Sequence, residues 1–154
     1  MTAVRVASEF PGTVHEAESC WCDTSRWPAW VDGLDHVVET AGGWPKAGAQ
    51  VVWQSGPAGR GRVTERVLEH QPLAGLTTDV HDDSINARQT VTFTPAEDRV
   101  AVELTLAYEI RKRGVFTPLV DFLFIRRAME RSIAATLARF GAELADRRIA
   151  VREH

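Results

Sequence analysis

The stretch Trp27-Pro28-Ala29-Trp30-Val31-Asp32-Gly33-Leu34 decides the reading of this chain. Two large aromatic residues crowd the end of a short helical pattern, and Pro28 and Gly33 redirect the backbone there. Upstream lies one strand pattern; downstream come only strand patterns, until the chain closes in one long amphipathic helix. That order predicts a bent sheet wrapped around a helix with space between them. Such a space is a container for an apolar small molecule.

Working outward to the N-terminus, residues 3–10 alternate loosely and predict a strand that Pro11-Gly12 ends. Thr13 is placed to cap a helix over residues 14–23, with Glu16 and Glu18 near its positive end. Val14, Ala17, Cys20 and Trp21 fall on one face of that helix. Asp23 or Thr24 starts a second short turn that contains Trp27.

Toward the C-terminus, residues 34–40 predict a strand and Gly42-Gly43-Trp44-Pro45 a turn. Five further strand patterns cover residues 49–55, 60–69, 75–82, 87–94 and 99–110. Gly56-Pro57-Ala58-Gly59, Gln71-Pro72, Asp82-Asp83-Ser84 and Pro95-Ala96-Glu97-Asp98 separate them. Connections this short leave no room for crossover helices, so the strands pair as an antiparallel meander. The last strand alternates most clearly: Val100, Val102, Leu104, Leu106, Tyr108 and Ile110 share one face, and Ala101, Glu103, Thr105, Ala107 and Glu109 the other. Thr117 and Pro118 suit a helix start. Phe122, Ile125, Met129, Ile133, Leu137, Phe140 and Leu144 then hold one apolar stripe. Gly141 is a blemish in that helix, and the charged tail from Asp146 is expected to fray.

Composition narrows the function. The 154 residues suit one domain with a sizeable core. An apolar share of 44% and a charged share of 25% are ordinary for a globular protein. The net charge of −3 offers no basic face for nucleic acid. Of 18 basic residues all but Lys46 and Lys112 are arginine, which we read as coding bias. No apolar run is long enough to span a bilayer and the N-terminus lacks a signal-peptide pattern, so a cytoplasmic protein is expected. Cys20 and Cys22 project in different directions on one helix and read as reduced, packed thiols.

The stretches Asp23-Thr24-Ser25-Arg26-Trp27-Pro28-Ala29-Trp30-Val31-Asp32-Gly33, Gly61-Arg62-Val63-Thr64-Glu65-Arg66-Val67 with Pro72, and Thr90-Val91-Thr92-Phe93-Thr94-Pro95 lie in this element order. With them the chain resembles the START-like superfamily, the birch-allergen-like helix-grip proteins, and within it the bacterial polyketide cyclase/dehydrase and lipid-transport type. The resemblance covers roughly residues 3–147. It implies an α+β helix-grip fold: a curved antiparallel sheet of about seven strands around a long C-terminal helix, two short helices after the first strand, and one START-like domain over residues 1–154. It also implies a hydrophobic cavity between sheet and helix, with Trp27 and Trp30 near one end. Ala96-Glu97-Asp98-Arg99 stands where such proteins often carry a glycine-rich turn. No reaction is implied, because one scaffold hosts binders and enzymes alike.

Parity and helix phase give the wall candidates: Trp53 with Val51, Val91 with Phe93, Leu106 with Tyr108, and Phe122, Ile125, Met129 and Ile133 from the helix. Each of these also reads as plain core packing. Glu65 shares a strand face with Gly61, Val63 and Val67. Pointed inward, it is a carboxyl whose desolvation suits acid, base or anchoring work; on a bulge or at the rim, it is wet or paired with an arginine. Tyr108, the only tyrosine, either orients a ligand carbonyl or finds a backbone partner. Arg88 either reaches the cavity mouth or pairs with Asp82 or Asp83.

The five histidines form no HExxH or i, i+4 pair. His81 near Asp79 and Asp83 reads as a charged rim in preference to a metal site. Gly56-Pro57-Ala58-Gly59-Arg60-Gly61 reads as a hairpin turn, lacking the strand-to-helix context of a phosphate cradle. Arg111-Lys112-Arg113 reads as a solvated loop. Neither cofactor nor metal is expected.

Three functions follow. The first is a carrier or sensor of a small hydrophobic ligand. The second is an aromatase/cyclase- or dehydratase-type enzyme in which Glu65 and Tyr108 steer proton transfer. The third is an interaction module, since the apolar run over residues 119–125 is wider than one helix stripe needs and suits a partner or a homodimer.

Overall fold

A computed structural model describes residues 2–57, 59–110 and 118–152, with side chains of the last helix from Phe122 onward. The expectations for Thr117, for Arg111-Lys112-Arg113 and for the side chains of residues 119–121 lie outside the described residues.

Strands β1 (Thr2–Pro11), β2 (Leu34–Ala41), β3 (Gln50–Ser55), β4 (Arg62–Gln71), β5 (Gly75–His81), β6 (Ile85–Ala96) and β7 (Arg99–Ile110) form one antiparallel sheet. Its order is β1-β7-β6-β5-β4-β3-β2. The meander is the expected one, and β1 closes it along β7 from Thr2↔Tyr108 to Pro11↔Arg99. Register shifts within β2 and at Val67/Glu69 of β4 bend the strands. The predicted alternation of β7 holds: Val100, Val102, Leu104, Leu106 and Tyr108 are buried while Glu109 is exposed. The turn at Ala96↔Arg99 closes without glycine, Glu97 taking φ 61° in its place.

Helix α1 (Val14–Cys22) starts on a capping box. Thr13 Oγ1 accepts from the Glu16 N–H at 3.1 Å, and Glu16 Oε1 accepts from the Thr13 N–H at 3.0 Å. Asp23 caps a 3-10 turn over Thr24–Arg26, which runs into the short helix α2 (Trp27–Trp30). The last helix, α3 (Pro118–Arg152), is about 52 Å long at 1.5 Å per residue.

The apolar stripe of α3 is buried over only part of its predicted length. Ile133, Leu137, Phe140 and Leu144 are buried. Ile125 and Met129 are partly buried, and Phe122, Leu123 and Phe124 are 41%, 47% and 73% exposed. A straight helix meets a curved sheet over a limited span; here α3 packs on β1, α1 and α2 and touches β7 only lightly. The tail does not fray as expected. The helix runs to Arg152, and Arg147 and Arg148 pair with Asp23 and Glu16 at 3.1 Å each. With Arg139 on Asp32 and Glu143 on Arg26, α3 is tied to the segment around α1 and α2.

Gly141 is no blemish. A Cβ at this position would run into the ring of Phe10, so the absent side chain lets β1 and α3 approach.

Candidate functional site

The sheet's inner face and the helices enclose a cavity. From the sheet come Trp53 on β3, Glu65 on β4, Val80 on β5, Gln89 on β6, and Leu104 and Leu106 on β7. From the helices come Trp21, Trp27, Trp30, Met129, Ser132, Ile133 and Thr136; Val31 and Asp32 follow α2, and Arg60 enters from the β3–β4 turn. The free space is about 70 Å³. That is roughly half of a ~150 Å³ cavity that takes benzene.

Of the residues the sequence proposed as walls, Trp27, Trp30, Trp53, Glu65, Leu106, Met129 and Ile133 come together here. Val91 and Phe93 are buried on the same inner face outside this cavity, and Phe93 packs edge-on against Trp21 at 6.3 Å. Tyr108, Phe122 and Ile125 also lie outside it. Parity contained the signal for Gln89, which shares a face with Val91, and for Leu104, which shares one with Leu106. Ser132 and Thr136 adjoin Ile133 on the helix. Nothing local in the sequence marks Arg60 or Asp32, which the fold alone brings in.

The aromatic end is packed ring on ring. Trp21 lies 4.7 Å from Trp30 and 5.0 Å from Phe140, and Trp27 lies 6.2 Å from Trp30. The Trp27 indole N–H donates to the Trp21 carbonyl at 2.8 Å. Trp30 Nε1 is buried with no hydrogen-bond partner among the described residues.

Glu65 points inward and is buried. Its Oε2 accepts from the Trp53 indole at 2.8 Å and its Oε1 from the Thr78 hydroxyl at 3.4 Å. Burial pushes the carboxyl above its usual range, against the opposing pull of the Trp53 bond, the Arg60 charge and the Thr78 bond. Arg60 itself pairs with Asp82, whose Oδ1 also accepts the backbone N–H groups of Ser84 and Ile85. Asp32 closes the helical side: it accepts from Ser132 at 2.8 Å and Arg139 at 3.2 Å, while its N–H donates to Thr136 at 3.0 Å.

Tyr108 finds no backbone partner; its hydroxyl is buried and unbonded among the described residues. It shares a cross-strand row with Glu65, through Val80 and Ala87. Three strand spacings separate the two, ~14 Å along the sheet. Tyr108 does not line the cavity that Glu65 borders. Arg88 faces Asp79 at 3.5 Å, in place of Asp82 or Asp83, and His81 bonds Asn86 at 2.7 Å. No group of three His, Cys, Asp or Glu side chains gathers as metal ligands among the described residues. Burial pushes the thiols of Cys20 and Cys22 up to about 11 and about 12, which keeps both protonated near neutral pH.

The profile of the polyketide cyclase/dehydrase and lipid transport family matches residues 1–145. The chain belongs to that family. Its helix-grip architecture is shared by solved structures at low identity. The Zhui aromatase/cyclase from Streptomyces sp. R1128 superposes with a TM-score of 0.79 at 15% identity, over 96% of this chain and 95% of its own. A protein from Thermus thermophilus gives 0.75 at 17%, over 94% and 98%. Norcoclaurine synthase from Thalictrum flavum, solved with dopamine and hydroxybenzaldehyde, gives 0.68 at 10%, over 94% and 87%. No curated protein matches at the sequence level. Like the sequence, the described residues contain no helix long and apolar enough to cross a membrane.

Proposed function

We propose that this member of the polyketide cyclase/dehydrase and lipid transport family binds a small hydrophobic molecule between sheet and α3, and carries or senses it. The observation that carries this reading is the aromatic cavity itself, with Trp21, Trp27, Trp30 and Trp53 around space that side chains leave unfilled. Apolar concave sites with few placed polar groups are the usual form of small-molecule pockets. Met129, unbranched and half-buried in the wall, gives the space a way to widen. Native mass spectrometry of the freshly purified protein tests the reading. A retained apolar small molecule, or saturable quenching of tryptophan emission by added ones, is expected. A protein that stays empty and takes up none of a broad apolar panel overturns it.

An aromatase/cyclase- or dehydratase-type enzyme is the second reading, favoured by Glu65. Burial raises the Glu65 carboxyl, so it keeps its proton to higher pH than a solvated carboxyl, which suits the role of an acid. In this reading Glu65 acts without Tyr108. Glu65→Gln then leaves binding intact and abolishes turnover of a polyketide-like substrate; unchanged turnover removes this reading.

A further inference from the structure

A line of polar side chains crosses the cavity's sheet wall obliquely. Trp53 donates to Glu65, Thr78 donates to Glu65, and Thr78 stands directly opposite Gln89 in the β5–β6 register. Trp53, Glu65 and Gln89 all border the cavity. Trp53, Glu65 and Gln89 thus place polar groups in a sheet wall otherwise made of Val80, Leu104 and Leu106, and Thr78 of β5 supports Glu65 from outside the lining. A buried polar group needs a hydrogen-bond partner; Trp53, Glu65 and Thr78 partner one another, and the Gln89 carboxamide borders the open space.

We infer that the occupant is a compact neutral molecule of about one ring, carrying a hydroxyl or carbonyl oxygen that docks against Glu65 and Gln89. The inference rests on the binding reading above and adds the ligand's size and polarity.

Size comes first. Free space of about 70 Å³ admits a single ring only once Met129 yields, and a multi-ring skeleton would have to displace α3. Charge comes second. Arg60 is already paired with Asp82, Asp32 with Arg139, and Glu65 accepts from Trp53 and Thr78, so the wall offers an incoming ion of either sign no unpartnered counter-charge. A neutral oxygen needs none. The Gln89 carboxamide donates and accepts, so a hydroxyl or a carbonyl is served equally.

Four probes of one-ring size separate the possibilities: toluene, p-cresol, benzoate and benzylammonium, titrated by tryptophan fluorescence at neutral pH. The expected result is that p-cresol binds about tenfold more tightly than toluene, the equivalent of one net hydrogen bond, and that both ions bind more weakly than p-cresol. Gln89→Leu should bring the p-cresol preference to within about threefold while toluene binding persists. Should that variant not fold, Gln89→Met, which keeps an unbranched chain of similar length without the carboxamide, carries the same comparison. Equal binding of toluene and p-cresol, or tighter binding of either ion, overturns this inference and leaves the binding reading standing. Binding of none of the four, together with failure of the broad apolar panel, overturns both.

Discussion

The indole N–H of Trp53 on β3 donates to Oε2 of Glu65 on β4 at 2.8 Å, and both side chains face the same internal cavity. Trp53 is thereby an apolar wall and the main hydrogen-bond donor to a buried carboxyl. Trp53→Phe keeps most of the wall and removes the donor. Loss of about 1–3 kcal/mol is expected, since a buried acceptor is left with only the longer Thr78 contact. Urea unfolding at pH 7 checks it; a change near zero would mean that water replaces the indole.

Glu65 also makes stability depend on pH in a definite direction. Its folded value lies above the 4.5 of a free glutamate. Below pH 4.5 the carboxyl is protonated in both states and its contribution is fully present. As pH rises above 4.5 the unfolded chain releases the proton first, so stability falls until pH passes the folded value. Glu65→Gln removes this slope. The variant should therefore gain on the parent from pH 4.5 upward, read by denaturant midpoints between pH 4 and 8. A constant difference across that range would refute the shift. The opposite behaviour is expected at the acid end, where Asp23, held below its usual 3.8 by Ser25 and then Arg147, withdraws stability as pH falls.

Gly141→Ala would ordinarily stabilise a helix by about 1 kcal/mol. Here the new Cβ meets the Phe10 ring, which also packs on Phe140 at 6.0 Å. A net loss of about 1–3 kcal/mol is expected from the forced shift of β1 against α3. Thermal unfolding of the single variant, and of the same change combined with Phe10→Leu, checks it: the second substitution should recover part of the loss.

Met129→Ala widens the cavity from its half-buried wall. The cost should be about 1–2 kcal/mol, below the ~2–5 kcal/mol of a fully buried site. Two-ring probes such as naphthalene should gain affinity relative to toluene. Equal gains for both, or none, would show that Met129 does not limit the size of the occupant.

Much of the architecture was legible in the residues because it is local. Alternation along Val100, Val102, Leu104, Leu106 and Tyr108 named the buried face of β7, and Thr13 with Glu16 named the start of α1. The order of strands, short helices and long helix, with turns too short for crossovers, left a meander capped by α3. The site was legible in half-measure. Parity says which face a side chain takes, so Trp53, Glu65 and Leu106 were found. It cannot say whether that face meets another surface or a void.

The sequence by itself determined the elements, their order and the inward faces, since these follow from backbone period and turn chemistry. Only the tertiary structure decided where the helix leaves the sheet. That gap is the difference between a straight rod and a bent surface, summed over many contacts and written in no single residue. It left Phe122 partly exposed, placed Tyr108 outside the cavity three strands along the row from Glu65, and brought Arg60 and Asp32 to the cavity from turns that carry no sign of it.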